Sequence, residues 1–420
     1  MSESSERWAD APSTAFRFRI SRFGALWSAT AASNLADGIF KLALPLLATQ
    51  QTNSPGLVAG VALVVRLPWL LFALFAGVLA DRLDRRLMMI GANLLRVAVL
   101  ALLVVVILTN SITLPLLYGI ALILGIAETL ADTAGSSILP SVVGKSDLER
   151  ANAHLVGVTT LTNEFIGPPL GGALAALSLG LAFATSSALY LAAAIAILLL
   201  TGSYTPAVVS KQHILSDIAV GLRFVWHDKL LRALLIIVGV MNMGWSAWMS
   251  IMVLYVVKPG PGGLTEVEFG FMLTSIGIGG LVGTLVAVPL VERFGRKWAI
   301  GADIVGTFIM LAIPALTPNA WAIGSAAVIG GVGGAMWSIV VSSIRQQLVP
   351  DDMLGRTGGV FRLFGYGALP LGSALAGIVA ESVGLPAVFA LCAFLTLLLI
   401  VQFYNDIVPA TITLSASKPQ

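Results

Sequence analysis

Gly77-Val78-Leu79-Ala80-Asp81-Arg82-Leu83-Asp84-Arg85-Arg86 is a charged island between two long apolar stretches. Far along the chain, Val291-Glu292-Arg293-Phe294-Gly295-Arg296-Lys297 interrupts two more. A second echo follows each island. Ser136-Ser137-Ile138, with Leu148 and Arg150 behind it, answers Ser342-Ser343-Ile344, with Leu354 and Arg356 behind it. Two repeats in the same order and at similar spacing describe a duplicated chain, a common plan among membrane folds built from related halves.

The composition places those halves in lipid. Apolar residues make up 57% of the chain and charged residues 11%, and the mean hydropathy is +0.94. A soluble domain carries roughly 25% charged residues. A helix needs about 20 apolar residues to cross the bilayer core. Twelve stretches qualify, near 23–48, 57–80, 87–108, 113–138, 153–176 and 180–201, then 230–256, 267–290, 298–316, 321–344, 357–380 and 384–405. The expected fold is therefore all-α and membrane-embedded, with twelve transmembrane helices in two six-helix bundles related by a pseudo-two-fold. Its segments are 1–22, a polar N-terminal piece; 23–202, the first bundle; 203–229, a linker; 230–406, the second bundle; and 407–420, a tail. Residues 1–22 hold four arginines and no apolar core, so they do not read as a signal peptide. In the linker, Ile214, Leu215, Ile218, Ala219, Leu222, Val225 and Trp226 recur at helical spacing, the pattern of an amphipathic helix on a membrane surface.

Charge alternates between loops. The loops after the second, fourth, eighth and tenth stretches, the linker and the two ends hold nineteen of the 24 lysines and arginines. The opposite loops hold only Lys258. Lysine and arginine mark the cytoplasmic side, so a multi-pass protein of the cell membrane with both termini in the cytoplasm is expected. The remaining four basic residues, Lys41, Arg66, Arg96 and Arg362, lie inside spans and require partners.

The island resembles the loop motif of the major facilitator superfamily, Gly-x-x-x-Asp-Arg-x-Gly-Arg-Arg/Lys. Gly77, Asp81, Arg82, Arg85 and Arg86 match it, whereas Asp84 stands where the superfamily has glycine. In the fifth stretch, Gly167-Pro168-Pro169-Leu170-Gly171-Gly172 is similar to the Gly-Pro-x-x-Gly-Gly signature of its antiporters and drug exporters, with Asn163 in place of the glycine four residues earlier. A kinked packing helix unconnected with export would carry the same residues. The superfamily's arginine in the fourth span is absent; that stretch carries Glu128 and Asp132, which with Pro140 and Leu148–Asn152 resembles the macrolide and siderophore exporter branch. The resemblance implies a latch in which Asp81 and Arg85 bind an acid of the fourth span, here Asp132 with Glu128 as alternative.

Mid-span charges point to coupling. Asp37 and Arg66 lie within roughly 3 Å of each other in depth at 1.5 Å rise per residue, so Arg66 is expected to hold Asp37 ionised, with Lys41 one turn away. Glu164 is then the expected proton carrier. A structural ion pair is the competing reading. Asn34, Asp37, Arg66, Glu164, Asn242 and Trp245 are the expected lining of a central cavity, beside a wall of methionines and tryptophans that suits varied apolar ligands.

These residues exclude much. The glycine runs Gly277–Gly283 and Gly330–Gly334 lack a following Gly-Lys-Ser/Thr, so they are not phosphate loops. One cysteine, Cys392, permits no internal disulfide and no thiolate metal site. No cofactor, metal or nucleic acid is expected, and no enzyme activity. The expected function is proton-coupled export of small amphipathic molecules by a functional monomer, with substrate, protons and lipids as its partners. Proton-coupled uptake of a nutrient, movement of a lipid-like molecule, a membrane-embedded enzyme and an ion channel are the rivals.

Overall fold

The computed structural model describes residues 13–144, 147–205, 214–350 and 353–409. Much of the polar N-terminal piece, the middle of the linker and most of the tail lie outside the described residues, as do Lys145, Lys211 and Lys418 of the charge count.

The described residues are helical almost throughout, because lipid offers no partners and a helix satisfies its own backbone. In the first half, α1 spans Ser13–Gln51, α2 Pro55–Leu71, α3 Ala73–Ala80, α4 Arg85–Leu108, α5 Leu114–Val142, α6 Leu148–Thr159, α7 Gly167–Leu177 and α8 Leu179–Leu198. The linker helix α9 runs Ile214–His227. In the second half, α10 spans Lys229–Val256, α11 Glu266–Phe294, α12 Arg296–Leu316, α13 Ala320–Leu348, α14 Leu354–Ser382 and α15 Leu385–Gln402.

Ten described helices are long and apolar enough to cross a membrane. They coincide with ten of the twelve expected stretches. The other two expected stretches are helical but broken. The stretch 57–80 divides into α2 and α3 at Phe72, just past Pro68. The stretch 153–176 runs as α6, a π-helical turn over Thr160–Ile166, and α7. Pro168 and Pro169 have no N–H to give the preceding turn. The chain responds by widening its register, so that the Gly167 N–H donates to the Thr162 carbonyl five residues back.

Within the first half, α1 packs on α7 and α8, and α4 on α5 and α8; within the second, α10 packs on α14 and α15, and α13 on α11 and α12. Between the halves, the broad contacts are α2 with α14 and α7 with α11. Glycines let these backbones meet. A Cβ on Gly38 would stand 2.7 Å from the Asn163 carbonyl oxygen and 2.9 Å from the Gly167 Cα, and one on Gly171 would stand 3.1 Å from the Ile39 Cα. Gly172 abuts the Glu266 backbone in the same way. The proline-glycine signature is thus the surface through which α7 meets both α1 and α11.

The linker segment forms helix α9, and the apolar residues Ile218, Leu222 and Val225 face protein rather than a membrane surface. Val225 is fully buried, Ile218 and Leu222 pack beside it, and Gly221 lies against the Arg356 backbone at the start of α14. Trp226, counted in the apolar stripe, is exposed.

The islands show two solutions to one turn. Gly295 enters α12 at φ +83°, a conformation suited to glycine. Asp84 occupies the corresponding place at φ −65° and caps α4 with its side chain, accepting from the Arg86 and Leu87 N–H groups. Its second oxygen accepts from the Tyr204 N–H at 2.9 Å and the Ser203 hydroxyl at 3.2 Å. The departure from the superfamily's glycine therefore costs the loop nothing. Partial desolvation works against the charge, but these four hydrogen bonds outweigh it and hold the Asp84 carboxyl below the usual carboxylate range. Replacing Asp84 with alanine is expected to lower stability by about 1–2 kcal/mol, the worth of a lost N-cap, in denaturation of the purified protein. Because the folded pKa is depressed, the charge-dependent part of that contribution is complete above about pH 4 and fades as pH falls through the folded value. A wild-type and variant difference that is the same at pH 7 and pH 3 would refute this assignment.

Candidate functional site

At mid-depth in α1, Asp37 is buried, with 6% of its surface exposed. The Tyr190 hydroxyl of α8 donates to Asp37 Oδ1 at 2.5 Å. Arg96 of α4, 2% exposed, places Nη1 3.9 Å from the same oxygen, and its guanidinium lies over the Tyr190 ring at 4.8 Å. Three helices are tied by this triad. Arg96, not Arg66, is the partner of Asp37, which corrects the pairing expected from depth. The reason is the placement of α2: it faces the second half, against α14 and α10, while α4 and α1 share α8.

Arg66 donates to the Ser246 hydroxyl of α10 instead. Ser246 in turn donates to the Leu369 carbonyl at 2.6 Å and meets Ser373 at 2.9 Å, while Ser250 meets Ser373 at 2.8 Å. These three buried serines are a polar pocket for the guanidinium, and they join α2 to α10 and α14 across the two halves.

Lys41, one turn beyond Asp37, turns the other way. Its side chain is 43% exposed and Nζ lies 3.5 Å from Glu128 Oε1 of α5. Asp37, Asp132 and Glu164 also lie within its electrostatic range. Asp132 on α5 and Glu164 on the π-helical turn are exposed. An exposed acid at this depth faces water rather than lipid, since an ionised side chain in hydrocarbon costs at least about 2.5 kcal/mol on insertion scales. Of the expected mid-span cluster, Lys41 and Glu164 therefore share one wet region, while Asp37 and Arg66 are each withdrawn into helix contacts.

The expected cavity lining divides similarly. Asn34 accepts from the Asn163 side chain at 3.3 Å, joining α1 to the π-helical turn at the residue that replaces the superfamily's glycine. Asn242 donates to the Gly365 carbonyl at 3.1 Å, an α10–α14 contact. Trp245 stacks on Trp248 at 6.2 Å, and Trp248 is wholly buried. Trp69 of α2 stacks on Tyr366 of α14 at 4.8 Å and 20°. Tyr366 lies within electrostatic range of Lys41, Glu128 and Asp132, so an aromatic pair borders the acids.

In the first island, Arg85 donates to the Ala80 carbonyl at 3.1 Å and the Ser137 carbonyl of α5 at 2.7 Å, with Asp81 at 3.9 Å. Its contact with the fourth span is thus a backbone oxygen in this conformation, rather than Asp132 or Glu128. Arg86 donates to the Ile197 and Leu198 carbonyls at 3.2 and 2.8 Å, closing the end of α8. Arg82 is exposed, and a Cβ on Gly77 would meet nothing within 4 Å. At the opposite end of the molecule, a cavity of about 410 Å³ lies between the halves, bordered by Gln50, Asn53, Ala175, Val253, Lys258 and Glu266.

Tyr190, the serine cluster and the Lys41–Glu128 pair were not singled out from the sequence. Arg96 was, as a charge in need of a reason, but nothing in a linear pattern chooses between two arginines of similar depth. Tyr190 and the serines sit in apolar runs without a distinguishing spacing.

Long apolar helices that hold ion pairs at mid-depth and leave several acids wet define a multi-pass membrane transporter. The chain belongs to the transmembrane secretion effector family of the major facilitator superfamily, which matches residues 12–418. It is similar to the multidrug efflux pump Tap of Mycolicibacterium fortuitum, 29% identical over 380 residues, covering 86% of this chain and 90% of that protein. It is also similar to the enterobactin exporter EntS of Shigella boydii serotype 4, 25% identical over 362 residues and 84% of each chain. Its fold is that of the nucleoside transporter NupG, seen in a crystal structure of a mutant, with a TM-score of 0.74 at 15% identity, covering 91% of this chain and 99% of that one.

Removing Arg96 strands a buried carboxylate. Arg96→Met is expected to destabilise the purified protein by about 3–5 kcal/mol, and Tyr190→Phe by about 1.5–3 kcal/mol. Arg66→Met, which leaves only serines behind, is expected to cost less than either. Thermal unfolding in detergent checks the order, and an Arg66 variant as damaged as the Arg96 variant would contradict it.

Proposed function

We propose that this chain is a proton-driven exporter of small amphipathic molecules, working by alternating access between two six-helix bundles, 23–202 and 230–406, joined by the linker 203–229. Counting the broken pairs α2/α3 and α6/α7 as one span each gives twelve. The island end is the cytoplasmic end, on the strength of its lysines and arginines, and segments 1–22 and 407–420 lie on that side. The protein acts as a monomer.

The observation that carries this reading is the wet acid group at Glu128, Asp132 and Glu164 around Lys41, bordered by the Trp69–Tyr366 stack. Acids facing water within the membrane can exchange protons, and stacked aromatic rings offer apolar surface to varied ligands. The direction is supported by the efflux and export named for Tap and EntS. The Gly167, Pro168, Gly171 and Gly172 surface supports it further, because it lies at the seam where α7 and α11 must part or slide. Asn34, Asn242 and Trp245 border the same path.

In the proposed cycle, Glu164 takes and releases the proton. Asp37 stays paired with Arg96 and Tyr190, and Arg66 anchors α2 to the serine cluster. Gly77, Asp81, Arg82, Arg85, Arg86 and Asp132 form the cytoplasmic latch of the alternate state. Two features support that role: Arg85 already touches α5 at Ser137, a short distance along the helix from Asp132, and the open space beside Gly77 leaves room for a helix to approach.

Overexpression is expected to lower cellular accumulation of at least one amphipathic antibiotic-like or siderophore-like compound, and a protonophore is expected to abolish the effect. In vesicles with an imposed pH gradient, Glu164→Gln is expected to reduce gradient-driven transport at least tenfold, consistent with loss of an essential acid–base group. Undiminished transport would remove Glu164 from the proton path. Inward concentration of a polar nutrient by reconstituted protein, with no efflux across a broad panel, would replace the export reading with uptake.

A further inference from the structure

The internal repeat supplies a comparison within one chain. The offset that superposes Asp81 on Glu292 and Arg85 on Arg296 also superposes Ser54 on Thr265 and Leu57 on Glu268. Ser54 and Thr265 are the N-caps of α2 and α11, the helices that begin at the end away from the islands. Thr265 has its acid in its own helix. Glu268, three residues on, accepts from the Thr265 N–H at 2.8 Å and the Thr265 hydroxyl at 2.9 Å, a complete capping box. Leu57 denies α2 that acid. The carboxylate is supplied from the other half of the chain: Glu381, at the end of α14, accepts from the Ser54 hydroxyl at 2.7 Å and from the Gly56 N–H at 3.0 Å. The approach is possible because Gly56 and Gly377 face each other; a Cβ on Gly377 would stand 3.3 Å from the Gly56 Cα.

We propose that Glu381 is the lock of the far-end gate, a helix cap borrowed across the seam between the halves. The Thr265 cap moves with its own helix and is indifferent to whether the halves are together. Ser54 caps α2 locally by accepting from the Leu57 N–H at 3.3 Å, but its two hydrogen bonds with Glu381 exist only while α2 and α14 are in contact, so their free energy is assigned wholly to the conformation sealed at this end. Its position at an exposed edge suits a gate: when the seam opens, the Ser54 hydroxyl and the Gly56 N–H are taken up by water, as at any helix start. The part-buried Arg66–Ser246 hydrogen bond and the Trp69–Tyr366 stack lie deeper along the same seam, so the Glu381 contacts part before them when the molecule opens from this end. The proposal rests on the alternating-access reading only for its consequence in transport. The distance measurement below requires no substrate, so export can fail while the lock stands, and the reverse.

Nitroxide labels on Ser111→Cys, in the loop of the first half, and Val383→Cys, in that of the second, report the separation of the halves at this end by double electron–electron resonance. Both positions are exposed, and Cys392 is buried and stays in place. Glu381→Gln is expected to raise the population of the longer, open-end distance at least about threefold over the parent. An unchanged distribution overturns the lock. Leu57→Glu leaves Glu381 intact but offers Ser54 an acid in its own helix, as Glu268 does for Thr265. It is expected to shift the distribution in the same direction, and it decides the matter alone if the Glu381 variant does not fold.

Discussion

A charge placed in hydrocarbon must find a partner or water, and the first half of this protein is organised by that requirement. The Asp37–Arg96 pair, closed by the Tyr190 hydroxyl, binds α1, α4 and α8 with both partners buried between the helices. Once Asp37 is committed there, Lys41 one turn on must face elsewhere, and it meets Glu128 in the wet region with Asp132 and Glu164. One buried pair thus separates the charges that hold the helices from those left exposed between them.

Among its described residues the second half carries fewer such charges, Asp303 of α12 being its buried acid. Where α10 meets α14 its polar groups are hydroxyls and an amide: Ser246, Ser250, Ser373 and Asn242, each bonded to a neighbouring helix. The two halves exchange polar groups where they touch. Arg66 from the first half enters the serine cluster of the second, and Glu381 from the second caps a helix of the first. Each contact is polar and of few atoms.

Glycine and proline set the remaining geometry. The π-helical turn at Thr160–Ile166 follows from two prolines without N–H groups, and it carries Glu164 and Asn163 on a widened register. The glycines beside it bring α7 against α1 and α11 closely enough that any side chain would collide. The segment that bears the wet acid is therefore also the segment that contacts the other half.

The all-helical membrane fold and the placement of most helices were legible in the sequence, because long uncharged apolar runs and charged islands are local signals that lipid makes almost obligatory; the breaks at Phe72 and Thr160–Ile166 were not. The charges that needed reasons were legible too: Asp37, Lys41, Arg66, Arg96 and Glu164 stand out by type against their surroundings. Their partners were not. Depth along a helix is readable from residue number, but azimuth depends on which helices become neighbours, so Asp37 could not be assigned to Arg96 rather than Arg66. The borrowed cap at Ser54 was invisible for the same reason, since its acid lies in the last quarter of the chain and only the packing of α14 on α2 brings it there. Local chemistry along the chain determined where helices begin, end and need satisfaction; the tertiary structure decided which distant group satisfies them, because that choice is made between side chains whose separation in sequence carries no information about their separation in space.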